Sequence, residues 1–546
     1  MTRPRLALLP LDDRPPNLQF PRRLAAIGSI ALRLPPKRLL GRFLRPGDTE
    51  ALAEWLEHAA GAADGLIVSC DMLAYGGLVA SRTTAGPLCG RPAAQAAARL
   101  RRLHAIKRRF ARLPVYAFAV IPRLGLTASA PAVTELGPAL ARYGELRHRR
   151  EALTEGEADE LARLAGALPR DVIAAHGRMR RRNLAVNRRL VGLAAQGDVD
   201  FVVLAQEDAP PSGPHIAEQA KLMDEARRLG VAERVRIYPG ADEVGLALLA
   251  RAAGRLVGVT GGAYPLYSTP GGAEAVALFE DRPLRVTVAG QIEAAGLEIA
   301  PTEEAADIVL GLHSPPGAAQ TDINHITPDS APRPPFVEHL AELARAGREV
   351  ALADVAYCNG ADPALVSALG DAKTLPHLAA FAGWNTAGNT IGTALAQAAL
   401  KRIGVAVREC GADRRQNAAM RAHLEFLFER LVDDYGYETV VRREAYRFAR
   451  EMLRQWPLNL RRERRRAAEY VRAELEPLAR RLFAQHFEGA AVNGQRIAVL
   501  RDLRIALPWP RLFEVEVEAR VAAEETAHWT RGPRRGSSRL QRSRAR

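Results

Sequence analysis

The sequence predicts an α/β fold: a parallel β/α region, barrel-like or doubly wound, then a helical region and a small C-terminal β element. Three observations carry this. Short uninterrupted apolar runs recur, the pattern of strands buried on both faces. Stretches rich in Ala, Leu and Arg separate them, the alternation expected of parallel βαβ units. The runs also end in polar or charged residues, so the strand ends should share one polar rim. Leu6 to Leu11 ends in Asp12-Asp13-Arg14, Leu66 to Cys70 in Asp71, Val115 to Ile121 in Pro122-Arg123, and Phe201 to Ala205 in Gln206-Glu207-Asp208. Val235 to Tyr238 runs toward Asp242-Glu243, and Ile308 to Leu312 toward His313. Val350 to Val355 carries Asp354 and precedes Asn359, and Leu378 to Gly383 leads into Trp384-Asn385-Thr386.

In order along the chain, the first strand leads into a loop stiffened by Pro15, Pro16 and Pro21, which holds Asp13, Arg14 and Asn17 in place. An internal Asp–Arg pair that only pins the loop explains it equally well. Residues 48–62 read as a helix capped by Asp48 or Thr49. The second apolar run opens onto Asp71, Tyr75 and Gly76-Gly77; Tyr75 offers a flat face and a hydroxyl to a ring-shaped ligand. A basic helix near 92–112 precedes the strand that ends at Arg123, and 131–197 is helical and polar, with Asn183 or Asn187 able to reach the site. The run ending at Gln206 is stopped by Pro210-Pro211, so Glu207 and Asp208 stand where α/β proteins place their chemistry, with His215 just beyond. A helix N-cap is the bland alternative for Asp208. Asp242 and Glu243 precede a helix, which dipole capping also explains.

Residues 258–276 are rich in Gly, Pro and Tyr and read as a lid or interdomain link. The β/α rhythm resumes to about residue 400, peaking at Gly383-Trp-Asn-Thr-Ala-Gly-Asn-Thr390, where Trp384, Asn385, Thr386 and Asn389 suit a polyhydroxylated ligand. A helix start with tight packing is the competing reading. From 411 the composition shifts to long Arg/Glu/Leu helices, and 495–521 reads as a hairpin around Pro508-Trp509-Pro510. The divisions expected are 1–257, 258–410, 411–525 and a basic, disordered tail at 526–546.

Composition narrows the partners. The 546 residues are 48% hydrophobic and carry a net charge of +15. Only five of the 77 basic residues are lysine, and seven arginines sit in the last 21 residues, so the excess reads as codon usage plus a tail rather than a nucleic-acid surface. No aromatic residues interleave with the arginines of 176–189, which argues against base stacking. The four cysteines form no CxxC pair, and no phosphate-loop motif occurs, so neither a metal nor a cofactor is expected. No run nears the roughly 18 apolar residues of a membrane helix, so a cytoplasmic protein with no membrane partner is expected. The oligomeric state is left open.

The blocks Pro-Leu-Asp-Asp-Arg-Pro (10–15), Ser-Cys-Asp-Met-Leu-Ala-Tyr-Gly-Gly-Leu-Val (69–79), Gln-Glu-Asp-Ala (206–209), Tyr-Pro-Gly-Ala-Asp-Glu (238–243) and Gly-Trp-Asn-Thr-Ala-Gly-Asn-Thr (383–390) resemble a bacterial family, domain of unknown function 4127, over about residues 5 to 520. The family name implies no activity. In layout the chain is also similar to barrel glycosidases that hydrolyse N-acetylhexosaminides, in which two adjacent acids end the fourth strand as Glu207-Asp208 do here. It departs from them in having Glu where an Asp pair is the pattern, which leaves the individual roles open.

The expectation is therefore a hydrolase acting on a small molecule or carbohydrate, a glycoside hydrolase using Glu207 and Asp208. One of the two serves as acid/base and the other orients or stabilises. Asp12, Asp13, Arg14, Asn17, Asp71, Tyr75, Arg123, His215, Asp242, Glu243, Asn359, Trp384, Asn385, Thr386 and Asn389 are the expected substrate-binding residues. The alternatives are a metal-dependent hydrolase using Asp12, Asp71, Asp208, His215, Asp242 and His313, or a non-catalytic carbohydrate- or nucleotide-binding protein.

Overall fold

A computed structural model describes the chain except residues 1–2, 85–92, 128–130, 209, 316–319, 326–333, 409–412, 493–494 and 526–546. The basic tail and Ala209 therefore lie outside the described residues. Six short strands, β1 (Arg5–Leu9), β2 (Ala31–Arg33), β3 (Gly65–Ser69), β4 (Val115–Ile121), β5 (Phe201–Gln206) and β6 (Val235–Pro239), form one parallel sheet in the order β2-β1-β3-β4-β5-β6. β3, β4 and β5 are buried throughout, as their unbroken apolar sequence requires when helices cover both faces.

Further strands follow as β7 (Gly262–Tyr267), β8 (Glu298–Ile299), β9 (Ile308–His313), β10 (Thr321–Asp322), β11 (Val350–Asp354), β12 (Tyr357–Cys358) and β13 (Ala380–Ala382). Five of them make a second parallel sheet, β8-β7-β9-β11-β13, while β10 and β12 pair separately. The second sheet repeats the first: its second strand lies outside its first, and later strands add on the other side. Both sheets are open, so the doubly wound alternative is the one formed, not the barrel. In each, the strand order reverses once, beside β1 and β3 and again beside β7 and β9, which is where such sheets bind ligands.

The Gly/Pro/Tyr-rich stretch is not a lid. Gly262–Tyr267 is a strand of the second sheet, pairing with β9 from Ala263 to Tyr267. Composition misleads because β8 pairs only with Gly262 and Ala263, so Pro265 lies where one flank of β7 carries no strand. A missing N–H costs nothing there.

One apolar core joins the sheets. It runs from Leu6, Phe118 and Phe201 through Leu248 and Leu395 to Leu310 and Ala351, so the helices Val244–Val257 and Ala387–Arg408 are shared between the two halves. A second core continues from Leu352 and Phe381 into the C-terminal helices and the small antiparallel sheet of β14 (Ala491–Val492), β15 (Gln495–Ala506) and β16 (Glu516–Glu525). That C-terminal unit is tied back to the start of the chain. Trp509 Nε1 donates to Asp13 Oδ1 at 2.6 Å, and Arg23, in the helix Pro15–Ile27, pairs with Glu425 and Glu429. Residues Leu431–Val441 form a π-helix, a wide turn that long Arg/Glu/Leu composition does not signal. It carries Asp434 to the end of β13, where Asp434 Oδ2 accepts from Gly383 N at 2.8 Å.

Candidate functional site at the strand ends

The loop after β1 makes the first cluster. Arg14 Nε donates to Asp12 Oδ2 at 2.7 Å, and Arg14 Nη1 donates to Asp242 Oδ2 at 3.0 Å across 228 residues of sequence. Asn17 Nδ2 bridges the same two carboxylates at 3.0 and 2.9 Å. Asn389, at the start of the shared helix from the second half, accepts from the Asp242 amide at 2.9 Å and is itself held by Thr386 Oγ1 at 3.0 Å. All of these residues are buried. Glu243 next door is a structural acid here. It accepts from Gln291 Nε2 at 2.7 Å and from Ala241 N at 2.9 Å, and burial pushes it up to about 7.

The second cluster lies at the ends of β3, β4 and β5. Because β5 ends at Gln206, Glu207 and Asp208 are free of the strand's alternation and take different surroundings. Glu207 is buried, its Oε1 accepting from Arg82 Nη1 at 2.6 Å. Its Oε2 has no hydrogen-bond partner among the described residues. Burial raises Glu207 above the usual carboxylate range, against the pull of Arg82 and Arg123. Asp208 has φ +26°, a conformation few residues other than glycine adopt. Its side chain is 31% exposed and pairs with Arg123 Nη1 at 3.2 Å. Such backbone strain is concentrated at functional sites.

Asp208 and Arg123 stand on the wall of a cavity of about 760 Å³, within the range of small-molecule sites. Behind the wall, Asp71 Oδ2 accepts from Val120 N at 2.8 Å; burial, with the nearby Glu207 charge, pushes Asp71 up to about 7. A carboxyl held above its ordinary 3.8 stabilises the fold fully below that value and loses the contribution as pH rises to about 7. Asp71→Asn should therefore be more stable than wild type at pH 8 by about 2–4 kcal/mol. It should also flatten the stability difference between pH 5 and 8, as read by urea denaturation at the two pH values.

The second sheet contributes strand ends of the same kind. Asn359 and Asn385 follow β12 and β13 with φ of +63° and +55°, and Asn359 N donates to Asn385 O at 2.8 Å. Both line a small cavity of about 20 Å³ with Arg14, Trp384 and Glu438, so the rims of the two sheets meet there. Burial, with the adjacent Asp322, pushes the Cys358 thiol above its usual range.

Most of the expected residues thus gather at the strand ends, but in separate bonding networks. Asp12, Arg14, Asn17, Asp242, Thr386 and Asn389 form one, and Asp13 turns away to Trp509. Nearby, Glu207 pairs with Arg82, Asp208 with Arg123, and Asp71 bonds to Val120 N. Tyr75 is buried under the Arg182 guanidinium, 4.9 Å from its ring, and offers no open face. His215 is fully buried, with Nε2 3.0 Å from Pro210 O. Trp384 packs edge-on against Phe20 and donates to Thr393 Oγ1 at 3.3 Å. Asn183 and Asn187 sit behind the rim, donating to Ser81 O and Val120 O. His313 pairs with Asp362 at 3.0 Å.

Two arginines of the rim, Arg82 and Arg430, carry no signal in the sequence. They are two arginines among 72, found only through the acids they pair with, Glu207 and the Asp433-Asp434 pair. Among the described residues no group of three or more His, Cys, Asp or Glu is arranged to hold a metal ion, and no helix is long and apolar enough to cross a membrane.

No curated protein matches the chain. The family described as protein of unknown function (DUF4127) matches residues 6–518. That span takes in all but the first residue of the two open sheets, every acid of the strand-end rim and the C-terminal hairpin up to the start of β16, so the chain belongs to this family.

Proposed function

We propose that the protein is a hydrolase that cleaves glycosidic bonds in the Asp208 cavity. One observation carries the reading: a partly exposed carboxylate, on a strained backbone at a strand end, faces a cavity of small-molecule size, beside a second, buried carboxyl with a raised pKa. Neighbouring carboxyls whose surroundings differ in this way divide naturally into a proton donor and an ionised partner. Glu207, with Oε2 unpartnered, is the proton-holding group. Asp208, paired with Arg123, faces the substrate. Glu207 is buried behind the cavity wall, so in the reaction its proton passes through one water to the leaving oxygen as that oxygen's bond to the anomeric carbon breaks. Asp208 stabilises the oxocarbenium-like centre, water adds there, and its proton returns to the carboxylate.

The metal-dependent alternative is less well supported, because of its six proposed ligands only Asp12 and Asp242 share a partner, Arg14, while Asp71, Asp208, His215 and His313 bond separately to Val120 N, Arg123, Pro210 O and Asp362. The test is a panel of 4-nitrophenyl glycosides incubated with the full chain. Release of 4-nitrophenol from at least one sugar is expected. Absence of release across the panel, with tight binding of the same glycosides, would favour a non-catalytic binding protein instead.

A further inference from the structure

The far wall of the Asp208 cavity is a loop between β7 and the helix Leu284–Ala294. Its stem is closed by Leu284 N donating to Ala275 O at 2.9 Å and by a bridge between Val276 and Pro283. At its tip Phe279 is 44% exposed and has φ +66°, a conformation that costs a bulky residue about 1–2 kcal/mol. The residues on either side are fixed. Leu278 N donates to Gln320 Oε1 at 2.9 Å, and Glu280 accepts from Gly388 N and from Thr287 Oγ1 at 3.0 Å. The loop therefore holds a large apolar ring in the open, against both the hydrophobic effect and backbone preference. Folding alone gives no reason for that arrangement.

We infer that Phe279 is the stacking platform of an apolar-ring subsite, and that the cavity takes an uncharged molecule with a flat apolar group joined to a polar head. The inference rests on the proposed use of the Asp208 cavity and names the substrate class: glycosides whose leaving group is aromatic or similarly apolar. Three observations favour it. Leu124, Leu126, Pro138, Val276 and Leu278 line the cavity with Phe279, so most of the wall is hydrocarbon. Arg123 and Arg142 on the wall are paired with Asp208 and Glu145, and the third acid of the wall, Glu280, is already bonded to Gly388 N and Thr287 Oγ1, so a charged ligand would meet no unpaired partner. The polar edge, the Arg123–Asp208 pair, offers both donors and acceptors, as hydroxyls require.

The test uses the full chain and N-phenyl-1-naphthylamine, an uncharged aromatic probe whose emission rises in apolar surroundings. Wild type should bind it saturably at one site. Phe279→Ala should weaken binding about tenfold, the upper range for a lost ring–ring contact, while Phe279→Tyr stays within about twofold of wild type because the ring is kept. Phe279→Gly should lose binding as the alanine variant does, yet unfold at a higher urea concentration, because the left-handed backbone no longer carries a side chain. Absence of saturable binding, or equal binding by wild type and Phe279→Ala, would overturn the inference. Asp208→Asn separates the two claims. If it binds the probe normally and also hydrolyses glycosides normally, the proposed chemistry fails while the subsite stands.

Discussion

Arg14→Leu is expected to destabilise the fold by about 3–5 kcal/mol, the cost of removing one partner from a buried ion network. Asp12 and Asp242 are each no more than 3% exposed, and Arg14 is the side chain that lies between them. Without it, two carboxylates face each other with only Asn17 to donate to both. The damage should extend beyond one loop, because Asp242 is also the group through which Asn389 fastens the second half to the first. Urea denaturation at pH 7 measures the effect. Adding Asp12→Asn to Arg14→Leu should recover part of the loss, since the charge left uncompensated is then smaller. A cost below about 1 kcal/mol for the single variant would show that the network is solvated in practice and does little to join the halves.

Asp208→Asn is expected to lower kcat by about a thousandfold or more on any glycoside that wild type hydrolyses, and Glu207→Gln by about a hundred- to ten-thousandfold. The asparagine substitution isolates the charge. Asn tolerates a left-handed backbone as readily as Asp, so the strained turn at 208 survives, and the side chain is partly exposed, so little core packing changes. KM should move far less than kcat. Burial raises Glu207, so the wild-type rate should fall on the alkaline side as this group loses its proton, and Glu207→Gln should lack that limb. Retention of full kcat by both variants would remove the basis for the proposed chemistry.

The strands were legible because burial on both faces writes an unbroken apolar run, and a rim of functional groups writes polar residues at its end. β3, β4 and β5 show both signals, and Glu207, Asp208 and Arg123 follow from them directly. β7 was not legible, since its glycine and proline are loop-like by composition and are tolerated only because of where the short β8 stops. Nor were the partners. Arg14 and Asp242 are 228 residues apart, and Arg82 and Glu207 are 125 apart, so no local pattern links them. Tyr75 and Trp384 have the right chemistry for a ring-shaped ligand but are packed under other side chains. Phe279, which has both the chemistry and the exposure, sits in a stretch with no sequence signal beyond one aromatic in a loop.

Of the acids gathered at the ends of the first sheet, Asp208 is the one presented to the cavity, while Asp12, Asp71, Glu207 and Asp242 are buried and outside its lining. Carbodiimide coupling of the folded chain to glycine ethyl ester, read by peptide mass spectrometry, tests this directly. Modification is expected at Asp208, with protection there when N-phenyl-1-naphthylamine is bound and little reaction at the other four. Faster labelling of Asp12, Asp71 or Asp242 than of Asp208 would contradict this placement.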